Sequence, residues 1–147
     1  MTGGTLAATL ITVSLMAVAH DIKMKAGTVP ERTVLGLPFA ASPHPMWIFD
    51  RATHDFLSVN DAAVREYGYT RREFLTMTIL DIRPAADIPE LLRQTLDPRL
   101  RGSSTGEKWR HQAKDGTVFP VAITSWELTF RGRHAELVLA RREEPGI

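Results

Sequence analysis

Cysteine is absent from the chain. That removes disulfides, thiolate nucleophiles, cysteine zinc sites and any cofactor attached through sulfur, and it fits a reducing compartment. A surplus of positive charge is absent too: 18 basic side chains stand against 17 acidic ones, for a formal net charge of +1. Nucleic-acid binding draws on such a surplus to displace counterions, so it is not expected here. The basic pair Arg141-Arg142 runs directly into Glu143 and Glu144 and reads as a solvated chain end. No internal repeat, phosphate-binding glycine loop or nucleophile–base pair is visible, and catalysis is not expected. The carboxylates Asp50, Asp55, Asp81, Asp87 and Asp115 fall mostly in turns and caps. His44, His54 and His134 fall in a linker, a turn and a strand edge, scattered rather than spaced as metal ligands. What is present is ordinary. A 44% hydrophobic and 24% charged composition over 147 residues supports one domain with a true core.

Charge is also missing from Thr2 to Ala19. The apolar positions from Leu6 to Ala19 surround a helix instead of forming one stripe, so such a helix needs burial on every side. The run falls just short of the ~20 residues of a bilayer span, and it lacks the positive charge that precedes a secretory signal. Two readings stay open for residues 1–25: a membrane anchor through residues 5–19, or a helix that packs on its own domain or on a twin chain. If the segment inserts, Lys23 and Lys25 keep the following domain on the cytoplasmic side. Residues 26–44, with Pro30, Gly36, Pro38 and Pro43, read as linker plus a short lead-in helix.

From residue 45 to 142 the pattern is that of a mixed α+β domain, with 143–147 as a tail. Met46-Trp47-Ile48-Phe49 is an apolar strand closed by Asp50, and a polar turn leads to a second strand, Phe56 to Val59. Asn60 and Asp61 are good N-caps for a helix over Ala62 to Tyr67, and Gly68 suits its C-terminal left-handed position. Thr70 and Glu73 form a capping box that opens a second short helix. Ile79 to Ile82 reads as one more helical turn, stopped by Pro84. Pro89 sits in the first turn of a helix over Glu90 to Leu96, with Leu91, Leu92 and Leu96 expected as its buried face. A flexible loop over Arg99 to Thr105 comes next. Glu107 to Lys114 then alternates, with Trp109 and His111 on one face and Lys108, Arg110 and Gln112 on the other. Asp115-Gly116 is a strong hairpin signal. The next strand places Phe119, Val121 and Ile123 at one parity and Trp126, Leu128 and Phe130 at the other. Either a bulge near Ser125 switches the face, or both faces are buried. Arg131-Gly132 turns the chain into a last strand, His134 to Ala140.

In this order and at these spacings the segments resemble the PAS family of sensor domains. The matching residues are Met46-Trp47-Ile48-Phe49-Asp50 and Phe56-Leu57-Ser58-Val59-Asn60-Asp61-Ala62-Ala63. Gly68-Tyr69-Thr70-Arg71-Arg72-Glu73-Phe74-Leu75 looks like the family's GYSREEL segment. Trp109-Arg110-His111-Gln112-Ala113-Lys114-Asp115-Gly116 looks like its W-x-H-x-x-KDG hairpin. The resemblance covers roughly two thirds of the chain. It implies a five-stranded antiparallel sheet in spatial order 2-1-5-4-3 with short helices over its concave face. It also implies a sensory role, dimerisation through an N-terminal helix, and an output partner such as a histidine kinase or a cyclic-dinucleotide enzyme. The family's closing Asp-Ile-Thr is replaced by Ala140-Arg141-Arg142-Glu143, and no kinase or cyclase motif follows, so relay within these residues is not expected.

The resemblance also bears on cofactors. Its light-sensing branches need a cysteine for flavin or chromophore, which this chain lacks. Its haem-binding members use a histidine on the longest helix, and Glu90 to Leu96 contains none. Non-covalent flavin stays open, with Trp47, Trp109 and Trp126 as stacking surfaces, although core packing is the better account of all three. The expected pocket is apolar, with His111 and Tyr67 as its polar groups; a buried histidine satisfied by a hydrogen bond, or a filled pocket wall, accounts for His111 better than a metal ligand does. Its candidate lining is Ile48, Val59, Tyr67, Phe74, Leu91, Trp109, His111, Phe119, Val121 and Leu137. Such a wall excludes charged ligands, because an unpaired charge there costs several kcal/mol. Two functions follow: a ligand sensor, or a dimerisation and docking module with a filled core.

The purified protein is therefore expected to be colourless. An absorption spectrum of freshly isolated material checks this, and flavin or haem bands would overturn the expected pocket.

Overall fold

The computed structural model describes residues 37–97, 99 and 104–143. The apolar segment over 1–25, most of the linker and the last four residues lie outside that range.

A short helix α1 (Leu37–Ala40) leads into strand β1 (Met46–Asp50), which turns into β2 (Phe56–Val59). Helices α2 (Asp61–Tyr67) and α3 (Arg71–Phe74) follow, then two 3-10 turns (Ile79–Ile82 and Ala85–Asp87) and helix α4 (Ile88–Leu96). The chain ends in three longer strands, β3 (Ser104–Gln112), β4 (Val118–Phe130) and β5 (Arg133–Arg142). The five strands form one antiparallel sheet in the order β2-β1-β5-β4-β3, as expected.

The local signals fold as their chemistry dictates. Thr70 and Glu73 close a capping box on α3. A second box, Thr78 with Asp81, opens the first 3-10 turn and was not anticipated. Arg83 ends that turn in an extended conformation, as a residue before proline must. Gly116 takes φ +91° in the β3–β4 hairpin, where the Ala113 amide donates to the Thr117 carbonyl at 2.9 Å. Arg131 and Gly132 both take positive φ between β4 and β5, the signature of a type I′ turn.

Strand parity divides the interior into two layers. Trp47 and Phe49 of β1, Phe119, Val121 and Ile123 of β4, and Val138 and Ala140 of β5 face the helices and pack with Tyr67, Phe74, Ile79, Ile82 and Leu91. Met46, Ile48, Trp126, Leu128, Phe130, Leu137 and Leu139 form a second apolar layer on the opposite face with Phe39. The β4–β5 register runs unbroken from Val121 to Phe130. The parity change near Ser125 is therefore burial of both faces, and the irregularity that does occur opposite Ser125 lies in β3, between Ser104 and Glu107. Two expectations need correction. Leu96 is 67% exposed, because α4 turns Leu91 inward and ends as Leu96 comes round to solvent. Ser104 and Thr105 already belong to β3.

Asn60 joins the lead-in, the sheet and the helices. Its side-chain oxygen accepts from the Met46 and Ala63 amides, each at 3.0 Å. Its amide nitrogen donates to the Phe39 carbonyl at 2.9 Å and the His44 carbonyl at 3.0 Å. The residue is 2% exposed, so no water can replace a lost partner without opening the core. Asn60→Ala is expected to cost about 3–5 kcal/mol in urea unfolding, well above the ~1 kcal/mol of a lost surface cap such as Thr70→Ala. Equal losses for the two variants would remove Asn60 from this role.

Candidate functional site

The inner layer has two ends of different character. One end is aromatic. Trp47 and Tyr67 meet edge-on at 5.6 Å, Tyr67 and Phe119 at 5.4 Å, and Phe56 and Phe74 at 5.1 Å. His111 is fully buried within this cluster, and its Nδ1 shares a 2.5 Å hydrogen bond with the Tyr67 hydroxyl. Burial holds the phenol above its ordinary range and the imidazole well below its own, the charge of Arg83 adding to the latter. Both groups are therefore neutral, and the pair packs as core.

The other end holds a partly open cavity of about 70 Å³. Trp47, Phe49, Leu91, Ile123 and Val138 supply its apolar walls, and Arg51, Arg83, Glu107, Ser125 and Glu136 its polar ones. Arg51 stands in the β1–β2 turn, which the Asp50 carboxylate shapes by accepting the Ala52 and Thr53 amides at 2.7 and 3.1 Å. Its guanidinium hydrogen-bonds Glu136, approaches Glu127 at 3.7 Å and donates to the Thr95 carbonyl of α4 at 3.3 Å. Glu127 and Glu136 are cross-strand partners in the β4–β5 ladder. Burial raises the Glu136 carboxyl above the usual carboxylate range; the facing Glu127 adds to the rise, while Arg51 and Ser125 oppose it.

Arg83 stands at another part of the wall, with its guanidinium carbon 4.6 Å from the Trp109 ring centre. Its Nε and Nη1 are buried with no hydrogen-bond partner in the protein. Burial pushes its pKa down to about 10, so it stays charged at neutral pH. An open groove of about 650 Å³ lies between α4 and β3, and it shares Gln94, Glu107 and Trp109 with the cavity wall.

The ten candidate pocket residues fall in three places. Leu91 and Trp109 line the cavity. Val59, Tyr67, Phe74, His111, Phe119 and Val121 share the inner face but pack as closed core. Ile48 and Leu137 lie on the opposite sheet face, because side chains alternate and Trp47 and Val138 take the inward positions. This cavity differs from the expected apolar wall with His111 at its polar end: it carries charged side chains, and His111 does not line it. The missed residues had a signal. Glu107 shares the parity of Trp109, Ser125 and Glu127 that of Ile123, and Glu136 that of Val138. Charged residues at inward parity on three strands are what a polar cavity requires. Among the described residues, no group of three His, Asp or Glu is arranged to hold a metal ion.

No family model matches the chain, and no curated protein matches it. Solved structures do. A PAS domain from a two-component sensor histidine kinase is 25% identical, with a TM-score of 0.57 over 71% of this chain and 88% of that one. The PAS domain of an HTR-like protein from Haloarcula marismortui is 19% identical, with a TM-score of 0.63 over 73% and 87%. The PAS domain, in complex with ethanol, of a LuxR-family transcriptional regulator from Burkholderia thailandensis is 14% identical, with a TM-score of 0.58 over 78% and 97%. The strand order and helices described above are those of a PAS domain, and this chain folds as one.

The buried imidazole sets a pH dependence. The unfolded chain binds a proton at His111 near pH 6.5, whereas the folded chain resists it. Stability present above that pH is therefore lost as pH falls below it, at up to ~1.4 kcal/mol per pH unit for one proton. His44 and His54 are held low by burial as well and add to the slope. His111→Gln is expected to flatten the urea-unfolding free energy between pH 6.5 and 5 by about one proton. An unchanged slope would show that His111 is protonated in the folded state.

Proposed function

We propose that this PAS domain is a non-catalytic sensory module of signal transduction, with its input at the cavity between sheet and helices and its output to a partner protein. The observation that carries the reading is the Arg51–Glu136 pair. It lines the cavity, it is buried, and it ties the sheet to the last turn of α4 through the Thr95 carbonyl. A molecule entering the cavity meets this pair, and any change in its geometry reaches a helix on the domain surface. Buried ion pairs suit such a role because their balance of desolvation and attraction is easily shifted. Residues 45–142 are taken as the sensory unit. The apolar segment of residues 1–25 would mediate homodimer assembly or attachment to the inner face of a membrane. The effector would be a histidine kinase or a cyclic-dinucleotide enzyme. The relatives' origins in a sensor kinase and a transcriptional regulator support a signalling role of this kind.

The cavity's small volume favours a second reading, in which the domain is a dimerisation and docking module whose core needs no ligand. A thermal-shift screen of small polar molecules separates the two. Under the sensor reading, some compounds raise the melting temperature of the full chain by several degrees. The same compounds have no effect on Ile123→Phe, which fills the cavity. If no compound shifts the full chain while native mass spectrometry shows a dimer, the docking reading stands instead.

A further inference from the structure

Arg83 contrasts with Arg51 of the cavity wall and Arg110 of the outer groove. Arg51 is committed to Glu136, and Arg110 holds Asp87 through two hydrogen bonds of 2.7 and 3.0 Å. Arg83 has buried Nε and Nη1 atoms with no acceptor in the protein. A guanidinium donates only, and buried donors left unmet are costly enough that native structures rarely keep them. An anion is the chemical complement of such a group.

The walls narrow the class of anion. Glu107 and Glu136 also line the cavity, so a second negative charge on the ligand would meet like charge. Leu91, Ile123 and Val138 offer an apolar surface beside the charged one. A cavity of about 70 Å³ suits a small ligand. Resting on the sensory reading above, we propose that the ligand is a short-chain monocarboxylate, its carboxylate bound by Arg83 and its alkyl end against the apolar wall. Arg83 also lies over Trp109, one of the residues shared by the cavity and the outer groove, so binding would be felt at the indole.

Calorimetric titration of the full chain with acetate, propionate and butyrate at constant ionic strength tests this, with propionamide as the uncharged analogue and inorganic phosphate as the multivalent control. Propionate is expected to bind at least tenfold more tightly than propionamide or phosphate and to change tryptophan fluorescence. Arg83→Met is expected to lose at least tenfold in propionate affinity. Arg83→Lys, which keeps the charge, should lose less, and it carries the test if the methionine variant does not fold. Glu107→Gln, removing the like charge, should tighten propionate binding severalfold. Equal affinity for propionate and propionamide, or unchanged propionate affinity in both Arg83 variants, overturns the carboxylate assignment while leaving the cavity as an input site. Failure of every probe to bind, together with a blank thermal-shift screen, overturns the sensory reading as well.

Discussion

The carboxamide of Asn60 is the constraint on which the arrangement depends. Its two lone pairs and two hydrogens are all used on backbone groups from four places in the chain, all converging at one buried point. The Met46 amide donates to its side chain while its own amide donates to the Met46 carbonyl, so the start of β1 and the end of β2 are tied in both directions. The same residue caps α2. Lead-in, sheet and first helix are thus set relative to one another by a polar group that could not be buried unless every bond were made. With β1 held there, Trp47 and Phe49 point to the helices and Met46 and Ile48 to the opposite layer.

That choice of face makes the interior asymmetric. Near α2 and the β3–β4 hairpin the inner layer closes around interlocking rings, with neutral His111 and Tyr67 sharing one hydrogen bond. Toward the β1–β2 turn and α4 the same layer carries Arg51, Glu127 and Glu136, which the β4–β5 register sets side by side. Aromatic packing is insensitive to a small displacement. A buried ion pair facing a like-charged neighbour is not, because charges interact strongly where water is scarce. The aromatic end can therefore hold the fold while the polar end carries the proposed input site.

Much of the fold was legible from residue types because its signals are local. Asn60, Thr70 with Glu73, and Gly68 mark helix ends through their own backbone chemistry, and Asp115-Gly116 and Arg131-Gly132 mark turns through positive φ. Strand parity placed Trp109 with His111, and Phe119 with Val121 and Ile123. It could not orient β1 or β5, where Met46 to Phe49 and Leu137 to Ala140 are buried on both faces and show no polar alternation. Ile48 and Leu137 therefore pack in the layer away from the helices without a parity signal to show it. Glu107, Ser125 and Glu136 held the information about the cavity, but only as polar interruptions of inward-facing positions.

By itself, then, the sequence determined where the main caps and turns fall, the order in which strands and helices occur, and which kinds of cofactor its composition excludes. These follow from backbone preferences and residue chemistry within a few positions of one another. Only the tertiary structure decided which buried face of the sheet meets the helices, that His111 is core, and that Arg51, Arg83, Glu107 and Glu136 surround one space. Those outcomes depend on residues more than 80 positions apart, such as Arg51 and Glu136, whose interaction exists only after two strands and a helix have docked and removed water from between them.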